Sequence, residues 1–427
     1  MRDRRQAGHL DIEAMETHIR SAMHGIGAIM LEELINSDGG DYRGRTFLKG
    51  EDSFEFKEYR DKKVLTLLGP ITVRRAYYYD PSRNTGCCPK DKTLDIEGVS
   101  FSPGIRRIMS RVGAYRSFGS GREDIKEMTG IDVTAKEVER ISYQSGIEAE
   151  EFWKKEIEQV LSGKVTPIES TPKMYVCMDG TGVPVVKAET AGRQGKGGQA
   201  KTREVKLGCV FTQTTLDEKG RPVRDEGSTG YVGRIETAAT FGPRIYAESI
   251  RRGLNRAGTV CVIGDGAPWI WNIADEQFPG AIQIIDLYHA REHYWNVARL
   301  YFGSDKKQMG LWAEKRRIEL DQGEVDKVIE AMGEMLPPTD EAKETLKREM
   351  NFFEKNKLRM RYGEFRKQGL FVGSGVLEAG CRAVIGQRLK QSGMHWTVDG
   401  ANNIISLRCA FFSNRWEAFW ESRSEAA

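Results

Sequence analysis

From Met174 onward the chain changes its period. "MYVCMDGTGVPVV", "REVKLGCVFTQTT", "TVCVIGDG" and "AIQIIDLYH" are short β-rich runs, with helical stretches such as Pro243 to Arg256 between some of them. Strands mixed with helices in this order specify an α/β domain with a mixed sheet. Two of the runs share an odd ending. Asp179 follows the apolar "YVCM" and Asp265 follows "VCVIG", and glycine comes directly after each. The glycines predict backbone that bends away and leaves each carboxylate at the C-terminal edge of its strand, where open sheets bind ligands. A buried carboxylate without a partner either protonates or takes a cation.

The chain has 427 residues, enough for two to four domains. With 39% hydrophobic and 30% charged residues it reads as globular, not disordered. A net charge of only +3 does not announce nucleic acid, so any such partner must be held by local basic patches. No apolar run approaches the roughly 20 residues that span a bilayer. The start, "MRDRRQAGHLDIEAMETHIR", has neither the apolar core nor the cleavage site of a signal peptide. Seven cysteines, an odd number set mostly in apolar segments, suggest reduced thiols in a cytosolic protein. The adjacent Cys87-Cys88 pair has no second Cys or His pair at metal spacing.

Five regions follow from the text. Residues 1–100 hold an amphipathic helix (Leu10 to Asn36, with Met15, Ile19, Met23, Ile26, Met30 and Leu34 at helical spacing) and a hairpin, "KKVLTLLGPITVRRAYYYD". Residues 101–165 are helical. Within them, residues 120–146 carry two capping boxes, Ser120/Glu123 and Thr134/Glu137, around the Thr129-Gly130 break. That is the outline of a helix-turn-helix presenting Lys136, Arg140, Tyr143 and Gln144 to DNA, or else of an ordinary αα-hairpin with a solvated face. Residues 170–295 hold the strands. The basic, glycine-rich segment between the first two lacks P-loop spacing and reads as a hairpin tip, with Lys196 as a DNA contact. Residues 296–370 are helical and highly charged, broken by Pro337-Pro338, and residues 371–427 are helical again.

A third carboxylate, Glu378 in "GSGVLEAG", stands near the start of a helix. Two strand-borne aspartates and a helical glutamate can converge on a pair of hard divalent cations. Two such ions about 4 Å apart stabilise both the attacking and the leaving oxygen of a phosphoryl displacement. Read singly, each carboxylate has a plainer use: Asp-Gly is a turn dipeptide, and Glu378 can pair with Arg382 at i+4. Arg382, Arg388 and Lys390, then Trp396, follow Glu378; they suit backbone phosphates, or a solvated helix face. Trp269 and Trp271 suit base stacking or core packing equally.

The order strand-Asp, strand-Asp, helical segment, helix-Glu resembles the RNase H-like core of DDE transposases. Asp286-Leu287-Tyr288-His289 matches the Cys/Asp-x-x-His motif of insertion-bearing transposases, among them the hAT and Mutator-like groups. The blocks "MDGTGVPV", "VIGDGAPWIWN", "DLYHAREHYW" and "SGVLEAGCRAVIGQRLKQSGMHW" together are similar to the bacterial insertion-sequence transposases of the ISKra-four family, over most of Met174 to Trp420. Relatives often carry a cysteine-rich knuckle after the Tyr-rich strand, where "YYYDPSRNTGCCP" keeps only the adjacent pair.

The resemblance implies an RNase H-like α/β core interrupted by an all-α insertion, preceded by an α+β region with a helix-turn-helix. It implies two Mg²⁺ ions, with Mn²⁺ as a substitute, held by Asp179, Asp265 and Glu378. It implies water-driven cleavage at transposon ends and attack of the freed 3′-hydroxyl on target DNA, without a covalent protein–DNA intermediate. Asp286 and His289 would position the site or contact a flipped base. The partners implied are double-stranded DNA (terminal inverted repeats and target) and a second copy or more in the synaptic complex, in a cytoplasmic, nucleoid-associated setting. Two other classes stay open: a non-catalytic DNA-binding protein derived from a transposase, and a metal-independent hydrolase with two carboxyls about 5 to 9 Å apart.

Overall fold

The computed structural model describes residues 11–50, 52–164, 171–195, 198–336 and 339–426, so Lys196 and Pro337-Pro338 lie outside the described residues. The chain divides into two compact units, residues 1–145 with 417–427, and residues 146–416.

In the first unit, helix α1 (Ile12–Asn36) is capped by the Asp11 carboxylate, which accepts from the Ala14 N–H at 3.1 Å. A four-stranded antiparallel sheet follows: β1 (Thr46–Lys49), β2 (Asp52–Thr66), β3 (Gly69–Asp80) and β4 (Thr85–Cys87), in that order. The β2–β3 hairpin is the predicted one, but β2 begins ten residues before Lys62. Phe54 and Phe56 alternate inward onto Ala76 and Tyr78, but the stretch from Lys57 to Asp61 between them and Val64 is charged and exposed, which hides the continuity of the strand; Arg60 there lies over the Tyr77 ring at 3.4 Å. α1 packs on the hairpin through Ala28, Leu31 and Ile35, against Val64, Ile71 and Val73. The stripe from Met15 to Leu34 points the other way, into solvent.

Three helices complete this unit's described core: α2 (Pro103–Tyr115), α3 (Phe118–Thr129) and the start of α4 (Ala135–Leu161). Ile105, Met109, Ile125, Ile131, Val138 and Ile141 pack together, while Met128 is exposed. The Thr134/Glu137 capping box forms in both directions, at 2.7 Å and 3.1 Å. The Ser120/Glu123 box does not. α3 starts earlier, with Ser117 capping the Ser120 N–H at 3.2 Å. α4 does not stop at Gly146 either, because that glycine serves close packing: a Cβ there would stand 2.5 Å from the Asn403 carbonyl oxygen. The C-terminal residues join the first unit, contrary to the predicted boundary, through ion pairs of Glu417 with Arg107 and of Arg423 with Asp95.

The second unit is built on a mixed five-stranded sheet: β5 (Lys173–Pro184), β6 (Thr202–Gln213), β7 (Gly230–Arg234), β8 (Thr259–Gly264) and β9 (Ile282–Ile285). Its spatial order is β7-β6-β5-β8-β9. The first three strands form an antiparallel meander, and β8 and β9 run parallel to β5. Helix α5 (Ala238–Arg251) covers one face, where Phe241 and Ile245 crowd Gly208. Helix α13 (Val398–Phe412) covers the other, where Ile405 meets Gly233. Burial on both faces explains why Met174 to Met178 is an unbroken apolar run.

α6 (Pro268–Gln277) links β8 to β9. After β9 the described chain is helical: α7 (Leu287–Phe302), α8 (Lys306–Gln322), α9 (Val325–Gly333), α10 (Asp340–Asn356) and α11 (Tyr362–Lys367). α12 (Gly375–Gly380) continues through a π-helical turn at Cys381–Gly386 into Gln387–Leu389, and α14 (Trp416–Ala426) ends the chain. Among the described residues, no helix is long and apolar enough to cross a membrane.

Candidate active site

The parallel register of β5 and β8 sets Met178 opposite Gly264, so the next residues, Asp179 and Asp265, leave the two central strands side by side. β8 stops there. Gly266 turns the backbone at φ 103, and the Asp265 Oδ1 accepts from the Ala267 N–H at 2.9 Å. β5 does not stop. Its pairing with β6 runs on from Asp179↔Leu207 to Pro184↔Thr202, so Asp179 is mid-strand and the expected bend after it is absent. Gly180 and Gly182 serve that pairing, passing beneath the Glu204 and Thr202 side chains of β6.

Asp179 is largely enclosed, and burial pushes its carboxyl above the usual carboxylate range. The Cys381 thiol, donating to Oδ2 at 3.3 Å, pulls the other way, as does nearby His289; the adjacent Asp265 charge adds to the rise. The Cys381 thiol is itself pushed far up by burial and by Asp179, so it is a protonated donor. A carboxyl raised in the folded state adds stability at low pH that is lost as pH rises through the folded pKa. In metal-free buffer, the melting temperature of the wild type relative to Asp179→Asn is therefore expected to fall as pH rises above the ordinary carboxylate range. Saturating Mg²⁺ should reverse that fall in the wild type alone. Parallel melting curves for the two proteins at all pH values would refute this account of Asp179.

The Asp286-x-x-His289 segment is a helix cap with a second task. Asp286 is buried; one carboxylate oxygen accepts from the His289 N–H at 2.9 Å, capping α7. The other accepts from the Ser374 N–H, while the Leu287 N–H donates to the Val372 carbonyl at 2.9 Å. The sheet edge thus grips the segment that leads into α12. Buried, with both oxygens engaged, Asp286 ties the start of α7 to the Ser374 segment. His289 is half exposed, near Asp179, with its ring 6.0 Å from that of His293.

Glu378 does not complete the triad here. Its carboxylate is exposed and lies 3.8 Å from Arg382, while Cys381, three residues on, occupies the place beside Asp179. Among the described residues, no group of three or more His, Cys, Asp or Glu is set to hold a metal. The donor chemistry of the Asp179–Asp265 pair still suits a hard cation: two carboxylates at neighbouring positions of adjacent strands, one of them largely enclosed, with a thiol and the Gly180 N–H on it.

The basic candidates divide. The Lys390 Nζ donates to the Thr181 hydroxyl at 2.6 Å, two residues from Asp179, and Arg382 is exposed. Arg388 is wholly buried, its guanidinium 4.8 Å from the Trp396 ring centre and 3.2 Å from the Met394 sulfur. Trp396 is buried and its indole donates to the Leu389 carbonyl at 3.1 Å. Neither can meet DNA from there: Arg388 follows the π turn inward, and Trp396 lies beyond the helix, bridged to Val185. Trp271 is buried too, and Trp269 carries Lys206 over its ring at 4.7 Å.

On α4, Lys136, Arg140 and Gln144 are exposed at i, i+4, i+8 and form one stripe, whereas Tyr143 is half buried against Phe118. Sequence reasoning missed Cys381, Lys206 and the buried Glu349. Burial would raise the Glu349 carboxyl, but His293 and Arg348 hold it below its usual range. Only the i, i+3 spacing of Glu378 and Cys381 signalled any of these.

Compared with known proteins, the chain matches no family model and no curated sequence.

Proposed function

We propose that this chain is a metal-dependent DNA transposase of the DDE type, cutting at transposon ends and joining the freed 3′-hydroxyl to target DNA. The juxtaposition of Asp179 and Asp265 on adjacent parallel strands carries the reading. The strand order, with an antiparallel meander beside two strands parallel to the first, agrees with an RNase H-like core, and the helices from Leu287 to Lys367 agree with an insertion between its second Asp and its Glu.

Asp179 and Asp265 would hold Mg²⁺, or Mn²⁺ in its place, with Glu378 joining when the helix turns its carboxylate to where Cys381 now stands. When bound, the metal supplies Lewis-acid activation of water and phosphate. Lys390 and Arg382 neutralise backbone phosphates beside the carboxylates. Lys136, Arg140 and Gln144 face the DNA from α4, and His289 sits beside Asp179 where a proton must be held or moved. The partners are transposon-end and target DNA, with two or more copies in the synaptic complex, in the cytoplasm at the nucleoid.

The test is nicking of DNA that carries the terminal repeats flanking the gene. Cleavage in Mg²⁺ that EDTA abolishes is expected. Specific end binding without cleavage in Mg²⁺ or Mn²⁺ would instead support a non-catalytic DNA-binding protein, the reading favoured by the outward Glu378–Arg382 pair. Activity that survives EDTA would point to a metal-independent hydrolase.

A further inference from the structure

Helix α1 presents apolar side chains on opposite faces, and among the described residues only one of the two is packed. Ala28, Leu31 and Ile35 meet the hairpin. On the other face, Met15, Ile19, Met23, Ile26, Met30 and Leu34 are between 45% and 71% exposed, and Ile12 and Ile29 beside them are exposed as well. Leaving this much apolar surface in water is costly, and large exposed patches mark interaction sites.

The spacing of the stripe says what kind of partner fits. From Ile12 the steps run 3, 4, 4, 3, 4, 4, which is two eleven-residue repeats over the helix. Eleven residues in three turns is about 3.67 per turn, close to the natural α-helical pitch, so the stripe runs almost straight along the helix. From Met15 to Leu34 the steps are 4, 4, 3, 4, 4 and read the same in both directions. A second copy laid antiparallel across a two-fold axis then matches Met15 with Leu34, Ile19 with Met30, and Met23 with Ile26. Such self-complementarity is what an isologous interface requires.

We infer that α1 is the dimerisation element of this protein, pairing antiparallel with α1 of a second copy. The area is sufficient: eight side chains burying on the order of 100 Å² apiece reach the roughly 800 Å² per partner of a stable interface. The helix is about 37 Å long at 1.5 Å per residue, enough to align every step of the stripe. Its charges argue against a membrane surface as the occupant. Glu13, Glu16, Glu32 and Glu33 outnumber Arg20, whereas membrane-lying helices carry Lys and Arg on their polar face. The inference stands apart from the carboxylate site and does not need that site to bind metal or DNA.

The experiment is sedimentation velocity of the full chain across a concentration series, wild type beside Ile19→Glu/Ile26→Glu and beside a control, Thr17→Glu, outside the stripe. A dimer is expected for wild type and control, and a monomer for the double variant. Because the altered side chains are exposed, the three proteins should keep the same circular dichroism and melting temperature at monomer-favouring dilution. A wild type that stays monomeric at tens of micromolar overturns the inference, as does a double variant that remains dimeric. Binding of the monomer to anionic phospholipid vesicles through the same residues would also overturn it, in favour of a lipid occupant.

Discussion

Asparagine at Asp179 or at Asp265 is expected to lower end cleavage by roughly 10³-fold or more while leaving DNA affinity within about twofold, the rate equivalent of losing several kcal/mol of metal-borne charge stabilisation. The substitution keeps size and shape and removes one formal charge from a pair that sits side by side on β5 and β8. The folded state should tolerate it, because two adjacent carboxylates repel and burial already disfavours the charged form of Asp179. Quantified nicking and gel-shift measurements on the same protein preparations separate chemistry from binding. Glu378→Gln belongs in the same series: comparable loss would mean that the helix turns during the reaction. Full activity there would remove Glu378 from the metal set and leave a two-aspartate site. Unchanged cleavage in either aspartate variant would end the DDE reading for that residue.

The second large effect is expected at Asp286. Alanine there removes the cap of α7 and leaves the Ser374 N–H without its acceptor. A lost N-cap costs about 1 kcal/mol and an unsatisfied half-buried donor about 1 to 3 more, so a loss of roughly 2 to 4 kcal/mol follows. In a unit of this size that lowers the melting temperature by on the order of 5 to 15 °C. Asp286→Asn should recover only part of the stability, since its single amide oxygen can accept from the His289 N–H while its NH2 would then face the Ser374 N–H, donor against donor. Thermal melts of the two variants decide the matter: equal melting temperatures for wild type and Asp286→Ala would show that the grip on Ser374 is not structural.

How much of this was legible beforehand varies with the range over which each feature is determined. The two aspartates were visible because each follows an apolar run, and sheet burial imprints that run locally. Their side-by-side placement follows from the parallel register, which an antiparallel neighbour such as β6 would not have produced. The reason offered for the glycines held at Gly266, which turns the backbone, and failed at Gly180. Gly180 was read as a bend, whereas its work is to let β5 pass beneath Glu204, a residue on another strand.

The fates of Glu378, Arg388 and Trp396 were less visible still. Arg388 follows the π turn at Cys381–Gly386, past which i+3 and i+4 arithmetic on an ideal helix assigns the wrong face; Glu378 precedes the turn and pairs outward with Arg382, and Trp396 lies beyond the helix, bridged to Val185. For α1 the helical period was legible, but which face is packed was not. Ala28 with Leu31 and Ile35 made the packed face, and the stripe from Met15 to Leu34 was left outside.

Gly266 carries a consequence for the helices that follow β9. A Cβ at that position would stand 2.6 Å from the Phe352 ring of α10, and Phe352 in turn stacks on His293 of α7 at 3.5 Å. The turn that aims Asp265 is therefore seated directly on the helical bundle, as a gear tooth is seated in its neighbour. Any force that shifts α10 against α7 is delivered to one of the two central carboxylates, without passing through the sheet. A larger side chain at position 266 would have to displace Phe352, and so would carry a change at the Asp265 turn into α10 and α7.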